Sequence, residues 1–155
     1  MNIQDNYLTL ADGQQMPQEG FGLYKVDGKD TMTAAIQHAF EDGYRLFDTA
    51  QLYGNEAEVG TALKQLALPR DEIFVTTKVA EENQGYNRAI ASVKESLQKL
   101  QLDYVDLLLV HWPIERSFFE TWRAFEDMKK EGLTKSIGVS NFEMIHLQYL
   151  ATQAQ

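Results

Sequence analysis

The stretch FDTAQLYGNEAEVGTAL, residues 47–63, decides the fold because it joins the end of a buried strand to an amphipathic helix. An acid, Asp48, follows the apolar run directly, where the interior of a strand would not place a charge. From Asn55 onward apolar residues recur at helical spacing, and Asn55 with Glu58 forms a variant of the capping box. The stretch therefore predicts a strand, a loop that carries Asp48 and Tyr53, and a helix.

The same strand–helix unit recurs along the whole chain. Short apolar, β-branched or aromatic runs predict five strands, which begin at Phe21, Arg45, Ile73, Tyr104 and Ser136. Helical spacing of apolar residues predicts helices around 32–40, 59–66, 90–100 and 118–128, and a fifth helix that starts near 144. Such alternation requires parallel strands that are joined by right-handed helical crossovers.

Two α/β architectures fit this alternation, a doubly wound open sheet and a barrel. An open sheet that binds nucleotides normally carries a glycine-rich turn after its first strand, and the segment FGLYKVDGKD has no such pattern. The Asp12–Gly13 pair predicts a hairpin at about residues 7–18, which we expect to close the bottom of a barrel. The sequence therefore favours one domain over residues 1–155, a partial (β/α)8 TIM barrel of five units behind an N-terminal β-hairpin.

The chain is short for this architecture, because a complete barrel needs about 250 residues. Three units are missing from the predicted barrel. Either the chain is a fragment, or another copy of it covers the open edges of the sheet in a homo-oligomer.

Composition restricts the classes of partner and the compartment. The chain has 14 Lys and Arg against 23 Asp and Glu, and its net charge of −9 repels nucleic acid and anionic membrane surfaces. No apolar run approaches the roughly 20 residues of a membrane-spanning helix, and the start, MNIQDNYLTL, lacks the pattern of a secretion signal. We therefore expect a cytoplasmic protein with neither a nucleic acid nor a membrane partner. The absence of cysteine excludes disulfides and thiolate chemistry.

Polar side chains follow four of the five predicted strands. They are Asp48, Lys78, His111, and the pair Ser140 and Asn141. Because the carboxyl ends of parallel strands meet at one face, we expect these side chains to lie close together, with Tyr53 above them. Lys78 would neutralise Asp48, since either charge alone in a half-buried site would cost several kcal/mol.

This set of groups suits proton transfer to a substrate oxygen. A neighbouring ammonium stabilises the phenolate form of Tyr53, which makes the phenol a proton donor, and His111 can hydrogen-bond the same oxygen. The histidines, His38, His111 and His146, have no metal-ligand spacing, so no metal site is predicted. A cofactor that donates hydride would complete the chemistry.

Four motifs, FDTAQLYGNE, TTKV, DLLLVHWP and SIGVSNF, occur in the order and at the spacing found in the aldo-keto reductases. The chain resembles roughly the first half of that family's barrel. The resemblance implies that an aldehyde or ketone is reduced to an alcohol. It implies that hydride comes from NADPH, with NADH as the alternative donor, and that the proton comes from Tyr53. It also implies that Asp48 and Lys78 tune Tyr53, and that His111 orients the carbonyl group.

The resemblance further implies sites for the cofactor and for a small carbonyl substrate. Ser140 and Asn141 match residues that bind the nicotinamide carboxamide, and residues 22–25 match a loop that lines the pocket. The predicted cofactor-binding residues are Gly22, Leu23, Tyr24, Asp48, Ser140 and Asn141. The predicted substrate-binding residues are Tyr24, Tyr53, His111 and Trp112.

Each of these residues also has a purely structural interpretation. Asp48 alone would more often cap a turn, Lys78 would extend to solvent, and Ser140 with Asn141 would cap the fifth helix. An alternative function follows from the missing units, namely an inert half-barrel that self-associates or binds a partner through its open edge. A third interpretation is a regulator that binds NADPH and turns over slowly.

Overall fold

The computed structural model describes residues 6–152, so the ends of the predicted domain, 1–5 and 153–155, lie outside the described part. Two short antiparallel strands come first, and strands then alternate with helices. In chain order the elements are β1 (Tyr7–Thr9), β2 (Gln15–Pro17), β3 (Gly20–Gly22), α1 (Lys29–Glu41), β4 (Leu46–Asp48), α2 (Glu56–Gln65), β5 (Phe74–Val79), α3 (Tyr86–Leu100), β6 (Val105–Val110), α4 (Phe118–Lys130), β7 (Thr134–Val139) and α5 (Met144–Ala151).

Strands β3 to β7 form one sheet in their sequence order, and every neighbouring pair is parallel. Strands β3 to β7, each followed by one of the helices α1 to α5, are the five units of a partial (β/α)8 barrel, and the antiparallel β1–β2 hairpin precedes them. The predicted architecture is therefore confirmed. In residues 6–152 no helix is both long and apolar enough to cross a bilayer.

The core lies between the sheet and its helices. Fully buried side chains of β5 and β6, among them Val75 and Leu108, join one hydrophobic cluster with Val93 of α3 and Phe125 of α4. Helices α2 and α3 approach so closely at Gly60 that a Cβ atom there would lie 2.3 Å from the carbonyl oxygen of Lys99. Only glycine fits this contact without a shift of the backbone.

The hairpin is fixed to the amino-terminal side of the sheet by polar contacts. Asp12 lies in the turn of the hairpin. Its carboxylate pairs with Lys129 of α4 at 2.6 Å and accepts a hydrogen bond of 2.7 Å from Ser136 of β7. The hydrogen bond from Lys129, followed by that from Ser136, lowers the pKa of Asp12 to about 2. A negative charge on Asp12 therefore helps to hold the hairpin in place.

The first barrel strand is shorter than predicted. The apolar run from Phe21 predicted a strand through Val26, whereas β3 ends at Gly22. The chain turns at Tyr24 and Lys25, where Lys25 has φ 59°, and the Val26 amide donates to the Leu23 carbonyl at 3.1 Å. The apolar residues at both ends of this turn point into the core, which is why the run resembled a strand.

The predicted capping box at the start of α2 is wrong. Asn55 is the N-cap of the helix, but its side chain makes no capping hydrogen bond. Its amide instead donates to the carbonyls of Leu23 and Val26, at 2.9 and 3.2 Å, and its oxygen accepts from the Thr49 hydroxyl at 2.9 Å. Asn55 therefore joins the loop after β3 to the loop after β4.

Candidate active site

Strand register brings the predicted site residues to one face of the sheet. Asp48 is paired with Thr76, and Lys78 lies two residues further along β5, on the same face. Lys78 is in turn paired with Leu109 of β6, and His111 lies two residues beyond that pair. The period of two in a strand thus directs Asp48, Lys78 and His111 to the same side, opposite the helices.

Lys78 makes the central ion pair of the site. Its ammonium lies 2.7 Å from each carboxylate oxygen of Asp48 and 3.0 Å from the Thr49 carbonyl. Lys78 is 7% exposed, so the interpretation in which it extends to solvent is wrong. A buried ammonium beside a carboxylate avoids the penalty of an isolated charge, and this explains why an acid ends β4.

Tyr53 ends a 3-10 turn that spans Gln51–Tyr53, and Gly54 follows in the left-handed conformation with φ 68°. This turn directs the phenol back over the strand ends, where the Lys78 ammonium lies 3.4 Å from the Tyr53 hydroxyl. The ring of Tyr24 packs against that of Tyr53, with 5.0 Å between their centroids. Tyr53 therefore contacts the ion pair on one side and the loop after β3 on the other.

His111 lies next to Tyr53 at the end of β6. The two rings meet edge to face with 5.9 Å between their centroids, and the Trp112 indole stacks on the imidazole at 6.4 Å. Burial, followed by the positive charge of Lys78, lowers the pKa of His111 below its ordinary value of 6.5. The imidazole is therefore neutral at physiological pH.

The nitrogen atoms of His111 have different surroundings. Nδ1 is buried and has no hydrogen-bond partner in the described part of the chain. A buried N–H group without an acceptor is rare and costly, which favours the tautomer with its proton on Nε2. In that tautomer His111 can donate a hydrogen bond through Nε2.

Ser140 and Asn141 continue the chain beyond β7. The Asn141 amide donates to the His111 carbonyl at 2.9 Å and to the Ser140 hydroxyl at 3.1 Å, and Asn141 has φ 60°. The N-cap of α5 is Glu143, whose backbone amide donates to His146 Nδ1 at 3.0 Å. The interpretation of Ser140 and Asn141 as caps of the fifth helix is therefore wrong.

The residues predicted in the loop after β3 differ in exposure. Gly22 and Tyr24 are exposed, whereas the side chain of Leu23 is fully buried in the core. The backbone amide of Leu23 donates to the Asp48 carbonyl at 2.9 Å. A contact between Leu23 and a cofactor stays a prediction, and it would have to use atoms other than the buried side chain.

Several polar residues that support the site were missed from the sequence. They are Thr49, Gln51, Asn55, Glu56 and Gln84. Glu56 is 3% exposed, accepts a hydrogen bond of 2.6 Å from Thr77, and has a pKa raised by burial. The pattern of apolar and polar residues in the sequence gave no signal for these contacts, because most of them join segments that are 20 or more residues apart.

The assembled site brings an ammonium–carboxylate pair, a phenol and a neutral imidazole together at the strand ends. In such an arrangement a phenol can donate a proton, an ammonium can stabilise the resulting phenolate, and an imidazole N–H can bind an oxygen. The rings of Tyr24 and Trp112, which are 62% and 44% exposed, pack beside Tyr53 and His111. The arrangement suits protonation of a carbonyl oxygen.

Comparison with known proteins identifies one family. The model of the Aldo/keto reductase family matches residues 20–155. The chain is 43% identical over 148 residues to glyoxal reductase from Bacillus subtilis, covering 96% of this chain and 54% of that protein. It is 48% identical over 145 residues to the methylglyoxal reductase DkgA of Escherichia coli O157:H7, covering 92% and 52%.

Solved structures agree with this result. An aldo-keto reductase from a Medee basin deep-sea metagenome library superposes with a TM-score of 0.91 at 44% identity, covering 96% of this chain and 54% of that one. The Bombyx mori aldo-keto reductase in complex with NADP superposes with a TM-score of 0.88 at 34% identity, covering 98% and 55%. The chain thus spans about half the length of the relatives it matches.

Proposed function

The chain belongs to the aldo/keto reductase family, and from this membership we propose that it acts as an NADPH-dependent reductase of aldehydes or ketones. The observation that carries the proposal is the contact of the Lys78 ammonium with both Asp48 and the Tyr53 hydroxyl. Glyoxal and methylglyoxal are the first substrates to test, because similar proteins carry the names of reductases for them. The cytoplasmic location stays a prediction.

The reaction requires a proton and a bound carbonyl oxygen, and residues of this chain supply both. Tyr53 donates its hydroxyl proton to the carbonyl oxygen as the alcohol forms. The nearby Lys78 ammonium stabilises the phenolate left on Tyr53, and Asp48 holds that ammonium in place. His111 donates from Nε2 to the carbonyl oxygen and keeps it close to the phenol.

The strand ends also fit a nicotinamide cofactor. The nicotinamide carboxamide both donates and accepts hydrogen bonds. The Ser140 hydroxyl can donate to it, and the Asn141 side-chain oxygen, which accepts no hydrogen bond from residues 6–152, can accept from it. When bound, the cofactor supplies the hydride for the carbonyl carbon.

The test uses the purified protein and begins with a titration of NADPH followed by nicotinamide fluorescence. Glyoxal, methylglyoxal and a panel of other aldehydes are then added, and oxidation of the cofactor is followed by absorbance. We expect Tyr53→Phe to lower turnover by about 10²-fold or more while cofactor affinity stays largely unchanged. Tyr7→Phe, on the distant and half-exposed β1, is the matched control and should behave as wild type. Undiminished turnover by Tyr53→Phe would reject the assigned proton donor.

A second candidate, the inert half-barrel that associates through its edge, rests on a different observation. An open apolar cleft of about 970 Å³ lies along β7, lined by Leu107, Leu109, Trp122, Ile137 and Val139 among others. On the outer side of β7 no strand from the described residues pairs with it. Absence of turnover on the aldehyde panel, together with a mass above that of one chain in static light scattering, would favour this candidate.

A further inference from the structure

We propose that Gln51 and Gln84 are positioning residues that set the separation between Tyr53 and His111. They act through residues 80–85, the loop that follows β5. The proposal rests on the proposed carbonyl reduction and adds to it two side chains that touch no reacting atom. It follows from a chain of contacts that passes from the turn with Tyr53, through this loop, to the strand end with His111.

The first half of the chain of contacts is the side chain of Gln51. Its oxygen accepts hydrogen bonds from the Ala80 amide and from the Asn83 side chain, both at 2.9 Å. Its nitrogen donates to the Ser96 hydroxyl of α3 at 3.1 Å. Gln51 opens the turn that ends at Tyr53, so two of these bonds fix that turn against the loop after β5 and the third fixes it against α3.

The second half is Gln84, which is 1% exposed. Its nitrogen donates to the carbonyl of Trp112 at 2.7 Å, directly after His111 in the sequence. Its Oε1 atom is buried and has no partner among residues 6–152. A buried acceptor without a partner is unfavourable. Gln84 therefore carries a cost in stability, which its single hydrogen bond to the backbone has to offset.

The loop of residues 80–85, which contains Gln84 and contacts Gln51, is short and is held by further hydrogen bonds. Residues Glu81–Asn83 form a 3-10 turn, and the Gly85 amide donates to the Thr121 hydroxyl of α4 at 2.8 Å. Because these bonds hold the loop, it serves as a fixed reference for both segments. Gln51 holds the turn with Tyr53 in place against the loop, and Gln84 holds the strand end with His111. A proton donor and a carbonyl-binding group need this precision, because a misplacement of 1 Å can cost about 10²-fold in rate.

The isosteric variants Gln84→Met and Gln51→Met test the proposal in the purified protein. Methionine keeps the length and volume of glutamine and removes its hydrogen bonds. Gln84→Met also removes the unpaired oxygen, so its thermal stability should stay close to wild type. We expect kcat to fall about 10-fold or more for each variant, with the Kd for NADPH changed less than about 2-fold. Gln98→Met, on the exposed face of α3, is the matched control and should have wild-type kinetics.

Amide hydrogen exchange gives a second readout that does not depend on activity. Gln51→Met should accelerate exchange at residues 50–54, and Gln84→Met at residues 111 and 112, while the amides of β5 keep their protection. Wild-type kcat in both variants, or faster exchange spread evenly over the sheet, would overturn the proposal. If the wild-type protein reduces no carbonyl, the proposed function fails, and the exchange pattern alone then decides whether the glutamines hold the two segments.

Discussion

At the scale of single residues, Lys78 combines two tasks that mutation can separate. Its ammonium neutralises Asp48 and lies beside the Tyr53 hydroxyl. The Asp48 side chain is 31% exposed, so water screens part of the attraction between the two charges. The electrostatic contribution of Lys78 to stability is therefore smaller than for a fully buried pair, whereas its proposed role beside the Tyr53 hydroxyl requires the charge itself.

Lys78→Met should lower turnover by about 10²-fold or more and destabilise the fold by about 1–3 kcal/mol, because it leaves Asp48 without its cation. The double variant Asp48→Asn/Lys78→Met should regain most of the stability and none of the turnover. Urea unfolding and steady-state kinetics measure the two effects. Wild-type turnover in Lys78→Met would show that this lysine is structural only.

Protonation of His111 makes the free energy of unfolding depend on pH. Its pKa is lower in the fold than its ordinary value of 6.5, so the unfolded chain binds a proton first as the pH falls. Stability from this residue is therefore complete above pH 6.5 and is lost progressively as the pH falls below it. We expect wild type to lose more unfolding free energy than His111→Gln between pH 7.5 and 5.5. An imidazole of His111 that titrates at or above 6.5 by NMR would contradict this expectation.

At the scale of elements, the contact between α2 and α3 depends on one missing side chain. Gly60→Ala would place a methyl group 2.3 Å from the Lys99 carbonyl oxygen and 2.5 Å from the Leu100 carbonyl carbon. Both neighbours are backbone atoms, so the helices must separate. Although alanine favours helix more than glycine does, we expect a net loss of about 1–3 kcal/mol in urea unfolding. Gly22→Ala, which has no atom within 4 Å of the added methyl, is the control and should change stability much less.

The extent to which the sequence predicts these elements follows from the range of the forces involved. Apolar spacing of 3.6 along a helix and clusters of β-branched residues are local signals, so the alternation of strands and helices was predicted correctly. The end of β3 was not predicted correctly, because the buried Leu23 and the partly buried Val26 resemble strand residues, and a positive φ at Lys25 leaves no mark in composition.

The candidate site divides in the same way. Asp48, Lys78 and His111 were found because polar side chains at strand ends converge in any parallel sheet. Gln51 and Gln84 were not found, because their partners lie 28 to 45 residues away in sequence. A polar residue before a tyrosine in a loop looks like any solvated residue until the fold brings its partners close.

At the scale of the whole molecule, the sheet ends at β3 on one side and at β7 on the other within the described residues. An unpaired strand presents backbone donors and acceptors to other chains, and the cleft along β7 adds apolar surface. The net charge of −9 opposes association between copies. These two tendencies predict an association that depends on salt.

Static light scattering of the 155-residue chain checks this prediction. At low ionic strength we expect a mass close to the 17.7 kDa of one chain, and at high ionic strength a mass at least twice as large. Hydrogen exchange at β7 should slow under the same conditions, because pairing protects edge amides. A single chain mass at every ionic strength, with unchanged exchange at β7, would argue against assembly through this edge.

The enclosure of Lys78 has a consequence for covalent labelling. Reagents that acylate or alkylate amines need an accessible nitrogen, and this one is held between Asp48 and Thr49 inside the strand ends. Lysines on the outer faces of the helices meet such reagents freely, whereas modification of Lys78 has to wait until the sheet opens. The extent of modification at Lys78, measured by mass spectrometry of the peptide that contains it, therefore reports how often the strand ends open.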